Sequence, residues 1–162
     1  ALIGFANKIG INPTLLNAVE KTNQKQIQNI VSIMENTLGA LAAKRITVLG
    51  TAFKPNTDDV RDSIAIELIK KLLKKKAKIT VHDPKAIRNT RNIFGGKICY
   101  DESITRALNN SHCAIIMTQW KQFGELNNKS IKCMKRKLII DCRRILANKK
   151  LDAEYYALGI GK

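Results

Sequence analysis

Glycine-rich loops are missing from this sequence, and their absence removes the two commonest ways of holding a nucleotide. There is no G-x-x-x-x-G-K-[ST] loop and no G-x-G-x-x-G, so neither a P-loop nor a dinucleotide fingerprint is present. Metal-site spacing is missing too. The four cysteines (Cys99, Cys113, Cys133, Cys142) contain no C-x-x-C, and there are only two histidines, which argues against zinc. Cys99, Cys113 and Cys142 fall in or beside strand-like runs, where cysteine ordinarily acts as a small core hydrophobe. His112 and Cys113 are neighbours on a strand and point to opposite faces, so they form no catalytic pair. Scattered thiols fit a reducing compartment, and a cytoplasmic protein is expected. Apolar runs such as "CAIIM" are far shorter than the roughly 18 residues of a membrane span. The first residues read as an amphipathic helix rather than a secretory signal. With no initiating Met, a processed chain or a piece of a longer protein is expected.

Acids are scarce. Thirteen Asp and Glu stand against 29 Lys and Arg, a formal net charge of +16. Such an excess favours polyanionic partners. Yet the densest run, "KKLLKKKAK" (Lys70 to Lys78), interleaves Leu72 and Leu73 as the solvated face of an amphipathic helix does. There is no aromatic interleaving and no nucleic-acid motif, so nucleic acid is not the expected partner. The same charge would help any phosphate-bearing ligand to approach.

What is present has a clear order. At 162 residues the chain can form one well-buried core with an attached element. "ALIGFANKIGINP" reads as a short helix closed near Gly10, with Asn12-Pro13 opening the next one. From Thr14 to about Ala43, Ile27, Ile30, Val31, Met34, Leu38 and Leu41 recur at three- and four-residue steps. About thirty residues make a helix roughly 45 Å long, more than one small domain needs, so it should pack on another subunit or bridge domains. From Arg45 onward, strand-like runs ("RITVLG", "AKITVHD", "GKICY", "HCAIIMTQ", "RKLIIDC") alternate with helical segments at about 61–76, 86–93, 101–110 and 125–134, and less clearly 121–124. "AEYYALGIGK" can add an edge strand. The fold class expected is α/β: a long N-terminal helical segment (1–43), then a Rossmann-like parallel sheet covered on both faces (44–162).

Ligands of open parallel sheets bind at the carboxyl ends of the strands. The tail of the first strand, "GTAFKPNTDDVRDS", has one glycine, Gly50, followed by Phe53 and Lys54. Side chains must therefore do the binding. Lys54 offers a point charge for phosphate or a sugar oxygen, and Phe53 an apolar wall. Asp58 or Asp59 is expected to cap the next helix, with Arg61, Asp62 and Ser63 in its first turn. An arginine there opposes the helix dipole, which suggests a partner outside the helix.

This stretch closely resembles the signature of the UDP-glucose/GDP-mannose dehydrogenase family at the start of its C-terminal, nucleotide-sugar-binding domain. The resemblance runs over nearly the whole chain. "ALIGFANKIGINPTLLNAVEKTNQKQ" is similar to the family's central dimerisation helix, with Asn23 and Gln26 as its Asn-x-x-Gln element, and "VHDP", "TQW" and "IIDCRRIL" match later landmarks in order. The resemblance implies four-electron oxidation at C6 of a UDP-sugar, UDP-glucose to UDP-glucuronate, with two NAD molecules used in sequence. It implies substrate contacts at Phe53, Lys54 and Arg143, an Arg61 that reaches NAD, a UDP-sugar partner, and a homodimer through the long helix. The family's NAD domain and its cysteine-bearing loop are not in this sequence. None of the four cysteines is therefore expected to be catalytic, NAD should be bound mainly elsewhere, and this chain alone should turn nothing over. Ile27, Gln28 and Asn29 stand where relatives often carry cations, Cys142 replaces the glycine of "D-G-R", and Gln119 an acid before Trp120. Two other readings stay open: a non-catalytic UDP-sugar-binding or dimerisation module, and a basic nucleic-acid-binding protein.

Overall fold

The computed structural model describes residues 2–159. A short helix α1 (Leu2–Lys8) and a long helix α2 (Thr14–Leu38) precede the sheet. The alternation then runs β1 (Arg45–Leu49), α3 (Ile64–Lys74), β2 (Lys78–His82), α4 (Ile87–Phe94), β3 (Cys99–Tyr100), α5 (Ile104–Leu108), β4 (Cys113–Ile116), α6 (Asn128–Ile131), β5 (Leu138–Asp141) and β6 (Glu154–Ala157). All five strand pairings are parallel, in the order β3-β2-β1-β4-β5-β6. The expected α/β sheet is the one found, and "EYYA" is its edge.

Alternation along the strands splits the core in two. Ile46 and Val48 of β1, Ile79 and Val81 of β2, Ile115 of β4 and Ile140 of β5 face α3 and the C-terminal half of α2. Leu49, Ala114, Ile116 and Ile139 face the opposite way, toward Leu108, Phe123 and Ile131. Central strands buried on both faces read as unbroken apolar runs, as β4 (Cys113–Ile116) and β5 (Leu138–Asp141) do up to their last residue. In α3, Ala65, Ile66, Leu68, Ile69 and Leu72 are buried, while Lys70 and Lys74–Lys76 are exposed. The lysine run is a solvated face, as its spacing implied.

The long helix ends earlier than its apolar pattern suggests. Gly39 takes φ +70° and its N–H closes on Glu35 O at 2.9 Å, a left-handed C-terminal residue that stops the helix. Leu41 still enters the core, from the turn that follows. Only Ile27, Ile30, Val31, Met34 and Leu38 of α2 are buried. Its first half stands clear of the sheet, and with α1 and the turn between the two helices it exposes Leu2, Phe5, Ile9, Ile11, Leu15 and Val19. One cysteine differs from expectation: Cys99 is exposed, because β3 is a short, outermost strand. Cys113 is buried, and burial pushes its thiol well up.

Candidate functional site

The strand order reverses direction between β1 and β4, and their tails interlock there. Gly50 holds φ +91°, and a Cβ on it would lie 2.5 Å from Thr118 Cβ and 2.8 Å from Thr118 N. Only glycine permits this approach. Thr118 Oγ1 then donates to Ala52 O at 2.7 Å. Beyond it the backbone turns outward, Phe53 N bonding Asp59 O at 2.8 Å. Phe53 is left 54% exposed and Lys54 is exposed beside it. Lys54 is in no ion pair among the described residues.

The third predicted contact comes from β5. Asp141, wholly buried, folds the tail back on itself. Its Oδ1 accepts from Arg143 N at 2.9 Å, and its Oδ2 from Leu146 N at 2.9 Å and Tyr155 OH at 3.0 Å. Burial and the adjacent carboxylate push the Tyr155 hydroxyl pKa well up, so it remains a donor. Arg143 Nε donates to Met117 O, at the β4 tail, at 2.7 Å. Arg143 is thus anchored next to Thr118, whereas Arg144 sits in the left-handed region at φ +58°. Phe53, Lys54 and Arg143 accordingly flank the β4 tail from either side. Cys142 is half-buried, its thiol pushed up to about 12 by burial first and Asp141 second, a poor nucleophile at neutral pH.

Arg61 lies elsewhere and is held differently from expectation. α3 begins at Ile64, and its N-cap Ser63 makes no side-chain cap bond. Asp62 is left-handed at φ +57°, so residues 58–63 form a loop rather than a first turn. Neither Asp58 nor Asp59 caps the helix. Asp59 instead accepts from Arg61 Nε at 3.0 Å and Arg61 Nη2 at 2.7 Å, and these bonds hold its carboxyl down at about 2. Asp58 takes Asn89 Nδ2 on its backbone carbonyl at 2.8 Å. Arg61 borders a groove of about 500 Å³ between α2 and α3 that also carries Glu20 and Asn23. A second cleft, of about 710 Å³, opens at the β2 tail and bears Lys85, Arg88 and Arg91. Among the described residues, no cluster of three or more His, Cys, Asp or Glu is placed to hold a metal.

Asp83, the acid of "VHDP", has no role that the sequence alone suggests, and it is the centre of the site. It is 2% exposed and its Oδ2 accepts from Thr51 N at 2.7 Å, Ala52 N at 3.0 Å and Trp120 Nε1 at 3.2 Å. Its Oδ1 takes Lys85 N at 2.9 Å and Ala86 N at 2.8 Å. An acid immediately after a buried strand and before Pro84 was the available signal. Trp120 and Phe123 are buried, which agrees with a packing role. His82 is buried too, its Nδ1–H bonded to Asp101 O at 2.9 Å.

The pattern of the UDP-glucose/GDP-mannose dehydrogenase family, UDP binding domain, matches residues 47–148. UDP-glucose 6-dehydrogenase AglM of Haloferax volcanii is 37% identical over 155 residues, 95% of this chain and 35% of its own length. UDP-glucose 6-dehydrogenase TuaD of Bacillus subtilis is 32% identical over 157 residues, 96% of this chain and 34% of its own. Among solved structures, a UDP-glucose dehydrogenase from Pyrobaculum islandicum superposes with a TM-score of 0.82 at 32% identity, over 96% of this chain and 34% of that one. The chain spans about a third of the length of these relatives. The sheet order, the lone glycine at the reversal point and the 47–148 match make this chain a member of the UDP-glucose/GDP-mannose dehydrogenase family, carrying its UDP-binding domain.

Proposed function

We propose that this chain is the substrate-binding part of an NAD-dependent UDP-sugar 6-dehydrogenase that converts UDP-glucose to UDP-glucuronate. The observation that carries the reading is the placement of Phe53, Lys54 and Arg143 on the tails around the β1/β4 reversal point, within a family domain described as UDP-binding. Lys54 and Arg143 supply positive charge for the diphosphate, and the Arg143 Nη groups, which make no hydrogen bond among the described residues, suit paired contacts with phosphate oxygens. Phe53 supplies an exposed ring against the nucleoside or sugar. Arg61, braced by Asp59, faces outward to reach NAD held by another domain.

The residues here do not fit NAD itself. Thr51 N and Ala52 N, which a dinucleotide sheet would offer to a pyrophosphate, are both taken by Asp83. The cofactor, two molecules of which would each accept one of the two hydrides of the four-electron oxidation, is therefore assigned mainly to another domain. The exposed apolar residues of α1 and the first half of α2 support a homodimer built on that helix, since faces of this kind are ordinarily covered by a partner.

Calorimetric titration with UDP-glucose, UDP and GDP at physiological salt tests the reading. Uridine-selective binding, weakened roughly tenfold or more by Lys54→Ala and by Arg143→Ala, is the expected result. An equal response to every nucleotide that fades with salt would leave only a basic surface, with the cleft of Lys85, Arg88 and Arg91 as its focus.

A further inference from the structure

In a dinucleotide-binding sheet the first strand runs through a glycine-rich turn into a helix, and the amides of that turn hold a pyrophosphate at the helix N-terminus. Here β1 ends at Leu49 and the helix that follows it begins only at Ile64, so the turn does not run directly into that helix. The amides are nevertheless aimed inward and satisfied. Thr51 N and Ala52 N converge on one oxygen of Asp83 at 2.7 and 3.0 Å. Trp120 Nε1 joins them from the β4 side at 3.2 Å, while Lys85 N and Ala86 N hold the other oxygen. All five partners are N–H donors, a set that suits an anion and no neutral acceptor of that size.

We propose that Asp83 is a built-in anion seated in the amide pocket where a dinucleotide sheet would bind phosphate, and that it is the positioning residue of the substrate loop. Two consequences follow from this seat. It excludes a ligand's diphosphate from the β1 amides, leaving phosphate recognition to side chains. It also joins the tails of β1, β2 and β4 through one buried carboxylate, which fixes the backbone that presents Phe53 and Lys54. The second consequence rests on the UDP-sugar reading above; the first does not.

The protein carries its own reporter, since Trp120 is its only tryptophan and donates directly to Asp83. Asp83→Ala removes the anion and leaves a carboxylate-sized hole lined by five orphaned donors. Its melting temperature should fall and its tryptophan emission should move from that of the parent protein. Formate should reverse both saturably, beyond the effect of chloride at equal ionic strength, and the parent protein should show no such difference between the salts. Asp83→Asn fills the hole without charge, so it should be less stable than the parent and unmoved by formate. If Asp83→Ala folds only when formate is present, the proposal is supported in the same way. Indifference of Asp83→Ala to formate, or a melting temperature for Asp83→Asn equal to the parent's, would overturn it. UDP affinity measured on the same variants reads the loop-positioning role separately. Failure of the parent to bind uridine nucleotides would sink the functional reading and leave the formate result standing.

Discussion

Gly50 shows how much a single residue can carry. In the sequence it is conspicuous for being alone, and it could be read only as a strand end lacking its usual companions. The reason for it lies 68 positions away, in the Thr118 side chain and backbone that a Cβ would strike at 2.5 to 2.8 Å. A long-range contact of this kind has no local signature. Gly50→Ala must bear both a φ of +91° and a clash with backbone that cannot rotate away. It should cost about 3 kcal/mol in urea unfolding. Gly124→Ala, which meets nothing within 4 Å, should stay within about 1 kcal/mol of the parent. Equal costs would show that the β4 tail gives way easily and that the interlock does not hold the site. Arg143 is singled out over Arg144 only by the family resemblance, and its bond to Met117 O has no sequence signal. Asp83 went unassigned because a lone acid in sequence does not reveal five donors arriving from three strand tails.

At the scale of elements, periodicity located the long helix and chain conformation ended it. The apolar steps from Ile27 onward are the residues that pack on the sheet, because helical spacing places them on one face. The stop at Leu38 was legible in principle, since Gly39 offers a left-handed terminus, but Leu41 continued the pattern and hid it. The start of α3 departs from expectation for the opposite reason. Asp62 adopts a positive φ without being glycine, so the loop extends to Ser63 and Arg61 is not in a helix at all. The two halves of α2 should respond differently to truncation. Met34→Ala, at a position with no exposure, should cost about 2–5 kcal/mol. Val19→Ala, at 51% exposure, should change unfolding by no more than about 0.5 kcal/mol. If the first half docks on a second copy, Val19→Ala together with Leu15→Ala should shift sedimentation toward the monomer at equal stability. A single sedimenting species unaffected by both changes would count against that interface.

For the whole molecule, the alternation of strands and helices fixed the sheet class in advance, because fully buried parallel strands leave continuous apolar runs that few other folds produce. The strand order and the site at its reversal emerge from packing. The charge excess has a global consequence of its own. With 29 cations against 13 acids, protons taken up on acidification add to an already positive surface. Between neutrality and pH 5 the histidines are the side chains that titrate. Both have pKa values lowered from 6.5, first by burial. His112 Nδ1 also accepts from Arg45 N at 3.1 Å, a bond that protonation would abolish. A histidine depressed in the folded state binds its proton more readily when unfolded, so the unfolded chain gains protons first as pH falls. Stability from this source is present in full above about 6.5 and is lost as pH drops through the lowered folded values. The urea midpoint should therefore fall from pH 7 to pH 5, while Asp59 and Asp101, also lowered, add their loss only below about 3.8. His82→Asn with His112→Asn should flatten the upper part of the profile and leave the acid limb in place. A profile as steep in the double variant as in the parent would assign the slope to carboxylates already taking up protons on the crowded positive surface, and 0.5 M salt should then flatten it instead.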